Sequence, residues 1–235
     1  MPRRPRVTVG GIVYHVLNRA NARMQIFERP EDYGLFEQVL AQAHERVAMR
    51  TVSYCVMPNH WHLVLWPRKD EDLSAFMRWL TLTHTQRWHS AKGTAGAGHL
   101  YQGRFKSFPI QSDEHYLTAC RYVERNALQA GLVSRAEDWR WCSLWRRAFG
   151  KADDWTLLSD GPVDWPEDWT DQVNRPQTHK ELEALAKCIE RGQPFGNETW
   201  IKRIARRLGL ASTLRPRGRP RMEQKGGKKK RRKST

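Results

Sequence analysis

His60-Trp61-His62 is the first point in this 235-residue sequence where residue type and spacing suggest chemistry. On an extended strand, residues i and i+2 leave the same face roughly 6.6 Å apart along the backbone, so two imidazoles can converge on one ion while Trp61 turns to the opposite, apolar side. The pair fits equally well two histidines that only pack or hydrogen-bond. Further along, Tyr122 and Asn126 stand four residues apart in a stretch with helical spacing, which stacks them on one face about 6 Å apart. One is a potential nucleophile and the other a neutral oxygen ligand. A tyrosine hydroxyl, with an ordinary pKa of about 10, attacks poorly at neutral pH, but a divalent cation polarising a nearby phosphate lowers that barrier. The phosphodiester so formed can be reversed by another hydroxyl. Taken alone, Tyr122 also reads as a half-buried helical tyrosine with its hydroxyl at the surface.

The elements that must position these residues follow from hydrophobic period. Residues 11–20 alternate as a strand, with Ile12, Val13, Tyr14, Val16 and Leu17 apolar, and lead into an Asn/Arg-rich loop. Residues 31–48 carry Leu35, Phe36, Val39, Leu40, Ala43 and Val47 at helical spacing. Residues 51–57 and 60–66 are two apolar strands joined by Pro58-Asn59, a hairpin signal. Residues 72–90 return to helical spacing, 104–110 read as a fourth strand, and Ser112 or Asp113 caps a last helix that runs to Gly131. The order β-α-β-β-α-β-α predicts an α+β fold, a ferredoxin-like antiparallel sheet (βαββαβ) with helices on one face, followed by a C-terminal helix carrying Tyr122.

Composition bounds the partner. Lys and Arg number 41 against 25 Asp and Glu, a net charge of +16 that favours a polyanion and disfavours an acidic substrate. No apolar run approaches the roughly 18 residues that would cross a bilayer, and the start, Met1-Pro-Arg-Arg-Pro-Arg6, lacks an apolar segment behind it; no membrane association and a cytoplasmic location are expected. Cys55, Cys120, Cys142 and Cys188 have no paired spacing and read as reduced packing thiols. From Leu214 onward, 11 of the 41 basic residues face only Glu223, among Pro and Gly breakers, so residues 214–235 are expected to be a disordered basic tail. Within it Arg217-Gly-Arg-Pro220 resembles the short strip by which AT-hooks enter an A·T-rich minor groove, through Arg217 and Arg219.

Three motifs together identify a family. Met57-Pro-Asn-His-Trp-His-Leu-Val-Leu65, Tyr101-Gln-Gly-Arg-Phe-Lys-Ser107 and Arg121-Tyr-Val-Glu-Arg-Asn-Ala-Leu-Gln-Ala-Gly-Leu-Val133 resemble the single-tyrosine HUH (IS200-like) transposases, specifically the REP-associated tyrosine transposases. The resemblance spans roughly residues 8–150, and more loosely 192–221. It implies that His60, His62 and Asn126 bind a divalent metal, Mg²⁺ or Mn²⁺, and that Tyr122 attacks single-stranded or hairpin DNA, leaving a 5′-phosphotyrosine and a free 3′-OH for rejoining. Imidazole ligands favour Mn²⁺ over Mg²⁺. Family members work as monomers or as homodimers that share active sites. The family commonly has proline where this chain has Ala127, so the helix is expected to run on unkinked and to hold Asn126 less firmly. Tyr116, six residues before Tyr122, is a competing nucleophile about 120° away around the helix and has Cys120 in place of the asparagine.

DNA contacts are expected from loops near the site. Asn18, Arg19 and Arg23 follow the first strand, and Arg104 and Lys106 flank Phe105, combining phosphate contacts with a ring on which a base could stack. Residues 138–143 resemble a stretch that folds back on the domain, with its tryptophans packing rather than stacking bases. Two amphipathic helices at 178–189 and 198–208, the second with Lys202, Arg203, Arg206 and Arg207 outward, suggest a DNA-binding appendage. The expected division is a catalytic domain at 1–134, a Trp-rich irregular cap at 135–176, a helical appendage at 177–213 and the tail at 214–235. Two other readings compete: a non-catalytic hairpin- or single-strand-binding protein on the same fold, and a hydrolase activating water on the histidine pair, for which the nearest acidic ligand is Glu124.

Overall fold

Alternation and helical period resolve into the expected elements in the computed structural model, which describes residues 7–150 and 157–215. In order they are β1 (Val13–Arg19), α1 (Pro30–Arg46), β2 (Met49–Met57), β3 (His60–Pro67), α2 (Asp72–Lys92), β4 (Lys106–Ile110) and α3 (Glu114–Glu124). The strands form one sheet in the order β2-β3-β1-β4, and each neighbouring pair is antiparallel. This is the ferredoxin-like arrangement.

Both faces of the sheet are covered, which is why β1, β2 and β3 read as nearly continuous apolar runs. Tyr14, Val16, Tyr54, Val56, Trp61, Leu63 and Leu65 face α1 and α2, packing with Phe36, Leu40, Phe76 and Leu80. Val13, Cys55, Met57, Val64, Phe108 and Ile110 face the other way, toward Ala119, Cys120 and Val123 of α3. The Pro58-Asn59 turn brings Met57 opposite His60. Its carbonyls are taken by the loop after β1, with Pro58 O accepting from Ile26 N at 2.9 Å and Asn59 O from Ala20 N at 2.9 Å.

The helix that carries Tyr122 departs from expectation. Asp113 caps α3 as predicted, accepting from His115 N at 2.9 Å, but α3 ends at Glu124 and a separate turn, α4 (Asn126–Gln129), follows. No proline is needed for the break. Asn126 Nδ2 donates to the Tyr122 carbonyl at 3.1 Å, a side-chain bond that competes with the helical ladder, and Arg125 Nη1 donates to Val173 O and Asn174 O at 2.8 and 2.5 Å. Gly131 then closes α4 at φ +70°, with Leu132 N donating back to Ala127 O at 3.0 Å.

The rest of the chain closes the sheet's edges. The stretch before α5 (Ser143–Phe149) runs along β2, where Val56 N donates to Trp141 O and Trp139 Nε1 to Val56 O, both at 2.9 Å. The cap is therefore not irregular throughout: it carries α5 and α6 (Trp169–Asn174). Of its described tryptophans, Trp141 stacks on Tyr33 at 4.8 Å between ring centroids and Trp165 packs on Trp169 at 4.9 Å. On the far edge, between α7 (His179–Arg191) and α8 (Glu198–Arg207), Phe195 N donates to Pro109 O and Gln111 N to Phe195 O, each at 2.9 Å. Part of the open row of backbone donors and acceptors at each edge is thereby taken by the chain itself. The basic tail beyond Arg215, including Arg217 and Arg219, lies outside the described residues.

Candidate active site

β3 carries His60 and His62 to the sheet face covered by α3, and α3 lays Tyr122 over them. Ring centroids stand 5.0 Å apart for His60 and His62, and 5.7 Å for His62 and Tyr122. Trp61, between the histidines, faces the opposite core, where its ring meets Phe36 at 5.6 Å and its Nε1 donates to the Tyr101 hydroxyl at 2.9 Å. A bulky residue is accommodated there because that side of the sheet is all core.

Each histidine has one nitrogen already committed. Asn59 Oδ1 accepts from His60 Nδ1 at 2.6 Å, and His62 Nδ1 lies 2.9 Å from His15 Nε2. Nε2 of each ring remains to face another partner. Asn126, whose Nδ2 is spent on the Tyr122 carbonyl, keeps its Oδ1. Two imidazole nitrogens and an amide oxygen, each with its other polar atom pinned, form a donor set that fits a divalent ion such as Mn²⁺ or Mg²⁺.

Electrostatics keep these donors ready. Burial, with the Arg19 charge added, holds His60 down at about 4, and burial holds His15 at about 3. His62 is pushed well below its ordinary range, first by burial and then by His15, His60 and Arg19. All three are neutral at pH 7 and keep a lone pair. Burial raises the Tyr122 hydroxyl above the usual tyrosine range, offset in part by the Asn126 amide and Arg19, so it is protonated at neutral pH.

The competing residues are elsewhere. Tyr116 is fully buried with its hydroxyl toward Gly161 and its ring 5.8 Å from Trp165, and burial drives its pKa far up. Glu124 is also fully buried, accepting from Ser143 Oγ at 2.5 Å, Trp169 Nε1 at 2.7 Å, and Arg147. Its carboxylate ties the cap to α3 and does not join the histidine pair. Asp113, Glu114 and His115 also cluster, but there Asp113 serves as the helix cap.

A cleft of about 500 Å³ beside the site is lined by Arg19, Arg104 and Lys106. Arg19 pairs with His60 across β1 and β3, while Arg23, Arg104 and Lys106 are exposed. Two of the expected DNA contacts, Asn18 and Phe105, are more buried than the others. Asn18 is buried and uses both polar atoms on backbone, Nδ2 donating to Gly103 O at 3.2 Å and Oδ1 accepting from Arg19 N at 3.0 Å. Phe105 packs against the core that α1 and α2 cover, at 9% exposure, and its remaining surface lines the same cleft as Arg19, Arg104 and Lys106.

A family model described as "Transposase IS200 like" matches residues 8–126, a span that runs from the approach to β1 through His60, His62 and Tyr122 to Asn126. The chain belongs to the IS200-like transposase family. A REP-associated tyrosine transposase of Haemophilus influenzae is 23% identical to this transposase over 142 residues, covering 57% of this chain and 74% of that protein. The solved structure of a REP-associated tyrosine transposase bound to a REP hairpin matches its fold with a TM-score of 0.51 at 22% identity, covering 70% of this chain and 94% of that one. Among the described residues of the transposase, no helix is long and apolar enough to cross a membrane.

Sequence reasoning missed His15 and Asn59, the two residues that hold the histidines. His15 had a signal: it is the polar residue in the otherwise apolar run Val13–Leu17, and alternation puts it on the face of Val13 and Leu17. Asn59 reads as a turn residue, and its bond to the next side chain is not visible from composition.

Proposed function

We propose that this transposase is a metal-dependent single-strand DNA endonuclease that cleaves and rejoins hairpin, REP-type DNA through a 5′-phosphotyrosine intermediate. The observation that carries the reading is the Tyr122 ring 5.7 Å from His62 within one chain, with Asn126 on the next helical turn. Tyr122 is the nucleophile: its Oη forms the bond to phosphorus as the bond to the 3′-oxygen breaks, and the hydroxyl proton ends on the departing 3′-OH. His60, His62 and Asn126 hold the divalent ion, which when bound neutralises the scissile phosphate's non-bridging oxygens. Arg19, beside His60, adds positive charge at the same place, and Arg23, Arg104 and Lys106 contact phosphates along the approach. Residues 1–134 form the catalytic unit, 135–176 the cap that seals β2, and 177–213 a helical DNA-binding appendage whose α8 presents Lys202, Arg203, Arg206 and Arg207.

The test is a denaturing gel with labelled hairpin DNA and Mn²⁺. A covalent protein–DNA band that is lost in Tyr122→Phe and His60→Ala and kept in Tyr116→Phe supports the mechanism. Binding without any covalent band across a range of hairpins supports the non-catalytic reading instead, and cleavage that survives Tyr122→Phe makes water the nucleophile.

A further inference from the structure

We propose that His15 is a positioning residue for the metal site: with the ion bound, its Nε2 accepts the Nδ1 proton of His62 and so holds the ring rotation that turns His62 Nε2 toward the ion. The inference rests on the proposed assignment of His60 and His62 as metal ligands.

His15 lies on β1, two residues from the register partner of His62, which is Leu17, and its side chain emerges on the same sheet face. It is 1% exposed, with its ring 4.8 Å from Phe108 and 6.2 Å from Tyr122, so its own rotation is set by packing. The 2.9 Å contact between His15 Nε2 and His62 Nδ1 joins two neutral rings, and only one of them can donate. If His15 donates, His62 carries its proton on Nε2 and has no lone pair there. If His62 donates, its Nε2 lone pair is free, and the His15 proton sits on Nδ1, which meets no partner among the described residues. Ligation by His62 therefore selects the second arrangement, and both rings change tautomer together.

His60 gives the comparison within the same site. Its Nδ1 donates to Asn59 Oδ1, an oxygen that can only accept, so its tautomer is fixed without choice. His15 performs for His62 the service that Asn59 performs for His60, with a ring that can also take the opposite role. Metal-bound histidines commonly donate their second N–H to such an acceptor, and losing it typically costs about 10- to 100-fold in affinity.

The experiment is an electron paramagnetic resonance titration of Mn²⁺ into the full chain without DNA, comparing wild type, His15→Phe, His15→Gln, His60→Ala and His62→Ala. His15→Phe keeps a ring of similar size without an acceptor and is expected to weaken Mn²⁺ binding about 10- to 100-fold; His15→Gln, which keeps an acceptor oxygen, loses less. Long-range ¹H–¹⁵N imidazole spectra of the Mg²⁺-loaded wild type should place the His62 proton on Nδ1, a result that does not depend on how well any variant folds. Wild-type Mn²⁺ affinity in His15→Phe, or a His62 proton on Nε2 in the loaded protein, overturns the role of His15. Wild-type affinity in His60→Ala and His62→Ala overturns the metal site itself, which separates the two failures.

Discussion

Replacing Glu124 by Gln keeps the shape of the side chain and removes one charge from a buried ionic cluster at the end of α3. The Glu124 carboxylate is fully buried, accepts from Ser53 Oγ at 3.2 Å, Ser143 Oγ at 2.5 Å and Trp169 Nε1 at 2.7 Å, and pairs with Arg147. A glutamine oxygen can keep some of these bonds, but its NH₂ would face one of the donors and the guanidinium would lose its counter-charge. Breaking a buried pair from one side costs about 3–5 kcal/mol. The Arg147 side chain keeps 15% exposure, and that residual solvation points to the lower end, about 3 kcal/mol. For a chain of this size each kcal/mol is worth about 2–4 °C in Tm, so Glu124→Gln should melt about 6–12 °C below wild type. Urea unfolding of Glu124→Gln, Arg147→Met and the double variant Glu124→Leu/Arg147→Met measures this directly. The double variant should recover part of the loss, because an apolar pair needs no desolvation of charge, less the cost of leaving Trp169 Nε1 without its acceptor. A Glu124→Gln protein within about 1 kcal/mol of wild type would refute the reasoning, since the pair would then behave as an exposed one. Mn²⁺ affinity and covalent adduct at temperatures well below melting should be unchanged, and a loss of metal affinity would restore Glu124 as a ligand.

Two further outcomes follow from burial. Folding lowers His15 and His84 from 6.5 to about 3 and His60 to about 4. The unfolded chain thus binds these protons first as pH falls. The stabilisation is complete above pH 6.5 and is lost on descent toward pH 4, at up to about 1.4 kcal/mol per pH unit for each fully buried histidine and less for the half-buried His60. Urea midpoints that stay flat between pH 7.5 and 5 would contradict it. At Gly161, an added Cβ would stand 2.0 Å from the Tyr116 hydroxyl and 2.7 Å from Cζ. Gly161→Ala should therefore cost about 1–3 kcal/mol of overpacking, partly relieved by Tyr116→Phe in the same chain. An adduct band that disappears in Tyr116→Phe alone would reverse the choice of nucleophile.

The parts of the fold legible from sequence were those set by period alone. The helical spacing of Leu35, Phe36, Val39 and Leu40 and the alternation through His60-Trp61-His62 each reflect burial against a neighbour, and the structure places them accordingly. The break at Arg125 was hidden because it depends on where one side chain, Asn126, spends its amide, and a continuous helix satisfies the same pattern of apolar positions. The burial of Asn18 and Phe105 was hidden for a related reason. Loop composition rich in Asn and Arg resembles a nucleic-acid surface, but it does not say which loop residues turn inward to satisfy backbone, as Asn18 does for Gly103 and Arg19. His15 was overlooked because the strand was read for its apolar members.

The two faces of the sheet divide the work. The face under α1 and α2 is a large apolar core that holds a few polar groups, among them the Trp61, Tyr101 and His84 chain with bonds of 2.9 and 2.7 Å, in which His84 Nε2 meets no partner among the described residues. The face under α3 places three histidines and a tyrosine hydroxyl where apolar side chains would pack better, and that desolvation is what drives each histidine toward its neutral form. Such a site survives only if its neighbours over-determine it. Here β1 supplies His15, the hairpin turn supplies Asn59, and the break after Glu124 frees Asn126 to hold the turn that carries Tyr122. Chain segments along β2 and β4 bond to some of the outer strands' backbone groups, which anchors the sheet that all of these residues stand on. Rigidity built from both edges inward is what lets a helix-borne tyrosine and a strand-borne histidine pair meet with a fixed separation in a single chain.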